Sequence, residues 1–337
     1  MDREVAAYVP EFAPRGKDRI TVRQLLTHTS GLRPERPFGE RRGHEGAPGG
    51  RWPFGERPRG GRPVRGRGSG DLLAQLWDDE PVSAPGGAYR YSDLNLIALQ
   101  QVLERTSGLG LDVLIRDGIT GPLGMDATSY GPVPAASAAA TEDQRRSWAK
   151  ADRGMLRGTV HDENAFALGG VAGHAGLFST ASDLAVLCRT LLSGGAYGRA
   201  RILEPATVKA MLAPPGLGFA VDRPYFMGEL AGMREPAGAG EPVGTGEQGF
   251  TGEPGGMADA AGRGGPTECG GYGAYGTYGA PAGHCGFTGT SLVLDPATGT
   301  FLVLLANTVH PVRRPADNGP RAAAATRLAR AARTRAP

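Results

Sequence analysis

The stretch GHCGFTGTSLVLDPATGTFLVLLANTVHP, residues 283–311, decides the fold. Two apolar, β-prone runs, Ser291-Leu292-Val293-Leu294 and Phe301-Leu302-Val303-Leu304-Leu305-Ala306-Asn307, flank Asp295-Pro296-Ala297-Thr298-Gly299. Proline presets one backbone angle and glycine permits the left-handed one, so the sequence predicts an antiparallel hairpin. The second run has almost no polar alternation, which predicts a central strand covered on both faces. Ahead of the hairpin stand His284-Cys285-Gly286-Phe287. A glycine at the head of a strand lets a ligand lie against the backbone and leaves the next N–H free to donate. The competing reading makes His284 no more than a strand end.

Working outward, residues 229–281 are Gly-rich, with Tyr272, Tyr275 and Tyr278, and read as an insertion beside a site entrance. Residues 33–70 hold Arg, Gly, Pro and Glu with hardly an aliphatic side chain, too little to offset chain entropy, and read as a disordered insertion. Arg59-Gly60-Gly61-Arg62 and Arg65-Gly66-Arg67-Gly68 have the form of RNA-binding tracts. A tolerated loop expansion in an arginine-rich chain is the expected reading, and nucleic acid is not the expected partner. The ordered remainder, residues 1–32 and 71–228 together with the hairpin and terminal segment 282–337, reads as one domain.

Within it, Thr21 stands three residues before Gln24 in a capping box that opens a short helix, stopped at Ser30-Gly31. Leu94, Ile97, Ala98 and Val102 follow the helical repeat over residues 94–106, and Ser107-Gly108 closes that helix. Tyr91 therefore precedes the N-terminus of a core helix, where backbone N–H groups favour negative charge. Residues 109–130 continue as helix and turn, and 131–158 look irregular. His161, Asp162 and His174 follow, among so many small residues that tight loops pressed against a neighbour are expected. Leu184, Leu187, Cys188, Leu191 and Leu192 mark a helix starting at Ser182 or Asp183, and Pro205 opens another. The Ala/Arg segment at residues 320–335 is strongly helix-prone.

The 337 residues carry a formal net charge of +3, which points to no polyanionic partner. The three cysteines fall in no metal-binding spacing, and no apolar run is long enough to span a bilayer. At face value the chain reads as soluble and cytoplasmic; a signal peptide carried upstream is the alternative.

In this order the segments resemble the serine β-lactamase/penicillin-binding-protein-like hydrolases. The matching stretches are Ile20-Thr21-Val22-Arg23-Gln24-Leu25-Leu26-Thr27-His28-Thr29-Ser30-Gly31-Leu32, Tyr91-Ser92-Asp93, Pro122-Leu123-Gly124-Met125, Val160-His161-Asp162 onward to Phe178, and His284-Cys285-Gly286-Phe287-Thr288-Gly289-Thr290. The resemblance implies an α/β β-lactamase/transpeptidase-like fold: an antiparallel sheet flanked by helices, a helical subdomain, and a site at their junction.

It also implies acyl transfer from a Ser-x-x-Lys nucleophile on a small ester, a D-amino-acid peptide or a β-lactam, with no cofactor and no metal. Tyr91 would be the proton shuttle. His284, in place of the usual lysine, would bind a carboxylate or tune Tyr91, beside Gly286. Phe287 would offer an oxyanion N–H. Asp93 stands where many members have Asn, which removes an amide donor and makes ester or atypical amide substrates more expected. His161, Asp162 and His174 would line or brace the pocket, and His28 would be structural. The nucleophile's motif is missing where the pattern requires it. Ser147-Trp148-Ala149-Lys150 has the four-residue form but comes too late in the chain. The sequence thus reads as a family member without its first sheet strands and nucleophile helix, inactive as it stands. Two competitors remain: a zinc hydrolase using His161, Asp162 and His174, which fits no standard ligand spacing, and a non-catalytic protein binding peptidoglycan-like peptides or nucleic acid.

Overall fold

The computed structural model describes residues 1–35, 69–145, 152–231, 279–314 and 317–334. Most of both predicted insertions, and the Ser147 to Lys150 motif, lie outside the described residues. Thr21 caps α1 (Val22–Leu26) with the predicted box: its hydroxyl accepts from Gln24 N–H while the Gln24 side chain accepts from Thr21 N–H. Next come α2 (Ser69–Trp77) and α3 (Asp93–Ser107), the latter closed by Gly108 in the left-handed region. Leu94, Ile97 and Val102 of α3 share a core with Phe12, Ile20 and Leu76, which builds the helical body.

From α4 (Leu111–Ile115) the chain passes through a wider π turn, Arg116–Thr120, into α5 (Gly121–Leu123). After β1 (Ser129–Tyr130) the region read as irregular contains an antiparallel pair, β2 (Ala140–Asp143) and β3 (Met155–Arg157). Ala-Thr-Glu-Asp and Met-Leu-Arg lack the β-branched and aromatic residues that announce a strand. Asp162 caps α6 (Glu163–Ala167), its carboxylate accepting from Ala165 N–H at 2.7 Å. β4 (Leu177–Phe178) pairs with β1, and α7 (Ala181–Leu192) follows. Its cap is Thr180 rather than Ser182 or Asp183, because Asp183 turns its carboxylate to Ala127 N–H and Thr128.

The small hairpin β5 (Ala196–Tyr197) and β6 (Ala200–Arg201) leads to α8 (Pro205–Leu212), opened by the predicted proline. Then come β7 (Ala220–Val221), α9 (Pro224–Met227), β8 (Ala282–Cys285), β9 (Ser291–Asp295), β10 (Thr300–Leu304) and α10 (Gly319–Arg333). The sheet is antiparallel in the order β10-β9-β8-β7, with Phe301 opposite Leu294 and His284 opposite Leu292. Side chains alternate across it. Leu292, Leu294 and Val303 join Leu191 and Leu212 on one face, while Val293 and Leu302 join Phe226 and Ala329 on the other. The expectation for β10 is therefore half corrected. Helices do cover both its faces, but among the described residues it lies at the sheet edge and β9 is interior.

The small-residue loops are pressed against their neighbours as expected. A Cβ on Gly173 would lie 2.1 Å from the Leu96 carbonyl oxygen of α3, and the Gly173 N–H donates to Gln100 at 3.0 Å. Gly173→Ala should lift this loop off α3 and cost about 1–3 kcal/mol. Gly118→Ala, at a position with no neighbour within 4 Å, should cost nothing. Chemical denaturation of the two variants gives the comparison.

Candidate active site

Two groups of side chains meet where the helical body faces the head of β8. The first is built on the start of α3. Residues 90–93 are laced to residues 28–34 by four hydrogen bonds: Arg90 N–H to His28 O, Ser92 N–H to His28 Nδ1, Ser92 Oγ to Arg33 O, and Asp93 N–H to Pro34 O. These fix Tyr91 just ahead of the helix. His28, in the left-handed region at φ 54°, places its buried ring 4.5 Å from the Tyr91 ring. Its Nδ1 accepts from Ser92 N–H at 3.2 Å and faces Asn95 Nδ2 at 3.1 Å. Burial, and secondarily repulsion from His284, push its pKa down to about 3, so the ring is a neutral acceptor. His28 was expected to be structural, and it does tie residues 90–95 to the end of α1 while its ring packs on Tyr91.

On the other side of Tyr91 lies His284, with ring centroids 6.0 Å apart. The two residues singled out from the sequence are brought together from positions 193 apart in the chain. The His284 ring remains open to solvent while the cleft walls crowd it. That crowding lowers its pKa, outweighing a hydrogen bond to the Cys285 backbone. From the sequence His284 was expected to carry a partial positive charge; the lowered pKa favours the neutral ring.

Gly286 and Phe287 follow in a tight turn. Gly286 N–H donates to Thr290 O at 2.8 Å and Gly289 N–H to Gly286 O at 3.1 Å. The Phe287 N–H has no hydrogen-bond partner among the described residues. The Phe287 side chain is 59% exposed, and its ring stacks on His161 at 5.9 Å with the Arg313 guanidinium 5.2 Å from its centroid. His161 and Arg313 are both held by the fully buried Glu142, at 2.7 and 2.9 Å. Burial would raise the Glu142 pKa, but hydrogen bonds from Arg313, Gln144 and His161 outweigh it and keep the carboxylate ionised.

The second group is Asp93, Asp162 and His174, whose ligand-type atoms lie within 4.8 Å of one another. His174 Nε2 meets Asp162 Oδ1 at 2.8 Å. Burial raises the Asp162 pKa, but the His174 hydrogen bond and charge and the Ala165 N–H bring it down to about 2. The His174 pKa is raised: burial opposes the cation, but its bond to Asp162 and the charges of Asp162, Asp93 and Glu35 prevail. Asp93 is the reverse case. Burial, above all, carries its pKa up to about 6 although His174 lies near and the Tyr91 hydroxyl hydrogen-bonds to it. These three are the described residues that could hold a metal ion together. The trio weighed from the sequence is corrected, since His161 turns away to Glu142 and Asp93 takes its place.

Tyr91 thus lies close to His284 and hydrogen-bonds to Asp93, and Asp93 lies close to Asp162 and His174; Gly286 and Phe287 follow His284 in the chain, with Phe287 stacked on His161. Sequence reasoning missed Glu142 and Arg313. Neither sits in a motif, and nothing local in the sequence reveals a carboxylate paired with residue 313 across 171 positions.

A protein of Escherichia coli (strain K12) provisionally named D-alanyl-D-alanine carboxypeptidase is 29% identical over 94% of this chain and 65% of its own length. A protein of Bacillus subtilis (strain 168) named N-acetylmuramyl-L-alanine amidase is 28% identical over 94% of this chain and 64% of its own length. The chain therefore spans about two thirds of the length of these relatives. Among solved structures, a penicillin-binding protein homologue from Caulobacter crescentus superposes with a TM-score of 0.56 at 22% identity, covering 98% of this chain and 76% of that one. A family VIII carboxylesterase gives 0.55 at 19% identity, covering 97% and 76%. Both share the fold, the β-lactamase/transpeptidase-like arrangement expected from the sequence. A family profile described as Beta-lactamase matches residues 1–327, and the chain belongs to the β-lactamase family of hydrolases.

Proposed function

We propose that this chain carries the proton-relay and oxyanion half of a serine acyl-transfer site, and that the nucleophilic serine comes from sequence outside residues 1–337. The observation that carries the reading is the 6.0 Å approach of Tyr91 and His284; three residues beyond His284, the Phe287 N–H has no hydrogen-bond partner among the described residues. Nearby serines are already engaged: Ser30 Oγ donates to Asn95 at 2.5 Å and Ser92 Oγ to Arg33 O at 2.7 Å. In this scheme the serine oxygen attacks the acyl carbon as its proton passes to the Tyr91 oxygen. Tyr91 hands its own proton to Asp93, to which it is already hydrogen-bonded. A carboxyl poised at about 6 suits that task, because an efficient base has a pKa near the working pH. Reversal of the relay protonates the leaving oxygen or nitrogen as its bond to the acyl carbon breaks, and water repeats the cycle to release the acid.

The names of the curated relatives favour D-amino-acid or other peptidoglycan-type peptides as substrates, with small esters and β-lactams as further acyl donors. An activated phosphonate provides the test. A form extended by its upstream coding sequence should be labelled on a serine there, and the 337-residue chain should not. Absence of labelling on both, with a D-alanyl peptide still bound, would overturn the hydrolase reading in favour of a binding protein.

A further inference from the structure

A peptide unit is planar and trans, so whatever holds its carbonyl on one side aims its N–H to the other. The unit that ends in the Phe287 N–H begins with the Gly286 carbonyl, and that oxygen has two donors. One is Gly289 N–H within the turn, at 3.1 Å; the other is Arg321 from α10, whose Nη2 lies 2.6 Å away. A hydrogen bond from an ionised donor is roughly twice as strong as a neutral one. Arg321 is therefore the firmer of the two anchors.

The state of Arg321 is otherwise hard to account for. The residue is 6% exposed, and among the described residues its guanidinium meets only neutral oxygens, those of Gly286 and Asn318, with Nε left unpartnered. Burying a guanidinium without a carboxylate is costly, and an apolar side chain would pack there more cheaply.

From this geometry we infer that Arg321 is the positioning residue for oxyanion stabilisation: it clamps the Gly286 carbonyl and so holds the Phe287 N–H aimed into the cleft. Its charge also polarises that peptide and strengthens the N–H as a donor. The C-terminal helix thereby becomes part of the active-site architecture without touching substrate. The inference rests on the proposal that the Phe287 N–H receives the oxyanion, but its structural half can be tested separately.

Arg321→Met keeps the length and apolar stem of the side chain and removes the clamp. In the crystal structure of the 337-residue variant the Gly286–Phe287 peptide should rotate or occupy two orientations, and in Arg321→Lys it should keep the native one. An unchanged peptide in Arg321→Met would overturn the inference whatever the activity. In the nucleophile-bearing form, Arg321→Met should lower kcat about a hundredfold, as loss of one oxyanion donor does, with KM within about twofold and partial recovery in Arg321→Lys. A peptide that rotates while kcat is unaffected would also overturn it. If the unmodified nucleophile-bearing form turns over no acyl substrate, the acyl-transfer reading falls, while the peptide orientation still decides the role of Arg321 as a clamp.

Discussion

Tyr91→Phe in the nucleophile-bearing protein should lower turnover of a D-alanyl peptide about 10²- to 10⁴-fold, the range associated with a positioned acid–base group. The substitution removes one oxygen and keeps the ring. The 4.5 Å packing on His28 and the 6.0 Å approach to His284 should survive, so KM should hardly move. The effect should depend on the leaving group. An amide nitrogen must be protonated to depart, whereas a nitrophenolate leaves unaided, so an activated ester should lose less, retaining only the loss from the serine's missing proton acceptor. Steady-state kinetics on the two substrates give the comparison. A peptide turnover reduced less than about tenfold would remove Tyr91 from the relay.

Asp93→Asn should stabilise the protein at pH 8 while damaging the same turnover. The carboxyl is buried beside Asp162 and Glu35, which carries its pKa from 3.8 to about 6. Between those values the folded state binds more protons than the unfolded one, so stability falls as pH rises through the window and stays low above it. Roughly two pKa units correspond to at most about 3 kcal/mol at pH 8, less what the remaining solvent contact screens. Asn removes that loss, so denaturation midpoints for the variant and the parent should coincide near pH 4 and diverge by pH 8. Two neighbours modulate the profile. Asp162, lowered to about 2, contributes stability above 3.8 that is lost as pH falls toward 2. His174, with a raised pKa, contributes below 6.5 and loses its contribution as pH rises through its folded value. Without Asp93 the His174 cation has one carboxylate fewer beside it, which trims the gain. Activity should fall because an amide cannot take up the Tyr91 proton. Gains in stability at the expense of function are usual where a site is built from strained charges. Parallel pH profiles of stability for both proteins would refute this account of Asp93.

The hairpin, the capping box, α3 and the glycine-rich contact loops were legible because each is encoded by neighbouring residues: a Pro/Gly turn, a Thr-x-x-Gln pair, a 3.6-residue repeat. The position of β10 was not. An unbroken apolar run reports what covers the two faces of a strand and carries no information about the neighbours in its plane. β2 and β3 were invisible for a different reason. Their pairing is supplemented by residues 307–311, through Asn307 to Ala140 O and Asp143 N–H to Pro311 O, so tertiary bonds make strands of a sequence with weak propensity. Of the residues named from motifs and flanking small residues, the structure brings Tyr91 close to His284, and Asp93 close to Asp162 and His174, while Phe287 stacks on His161. Glu142, Arg313 and Arg321 act from a distance on a residue with which they share no local pattern.

The neutrality of His28 bears on how acidity dependence of the reaction should be apportioned. With a pKa of about 3, its imidazole is already uncharged throughout the neutral range, so it is a constant fixture there and no titration limb near neutrality belongs to it. An inflection seen between pH 5 and 8 would have to be divided among Asp93, His174 and His284, and replacing each in turn would show which one governs it.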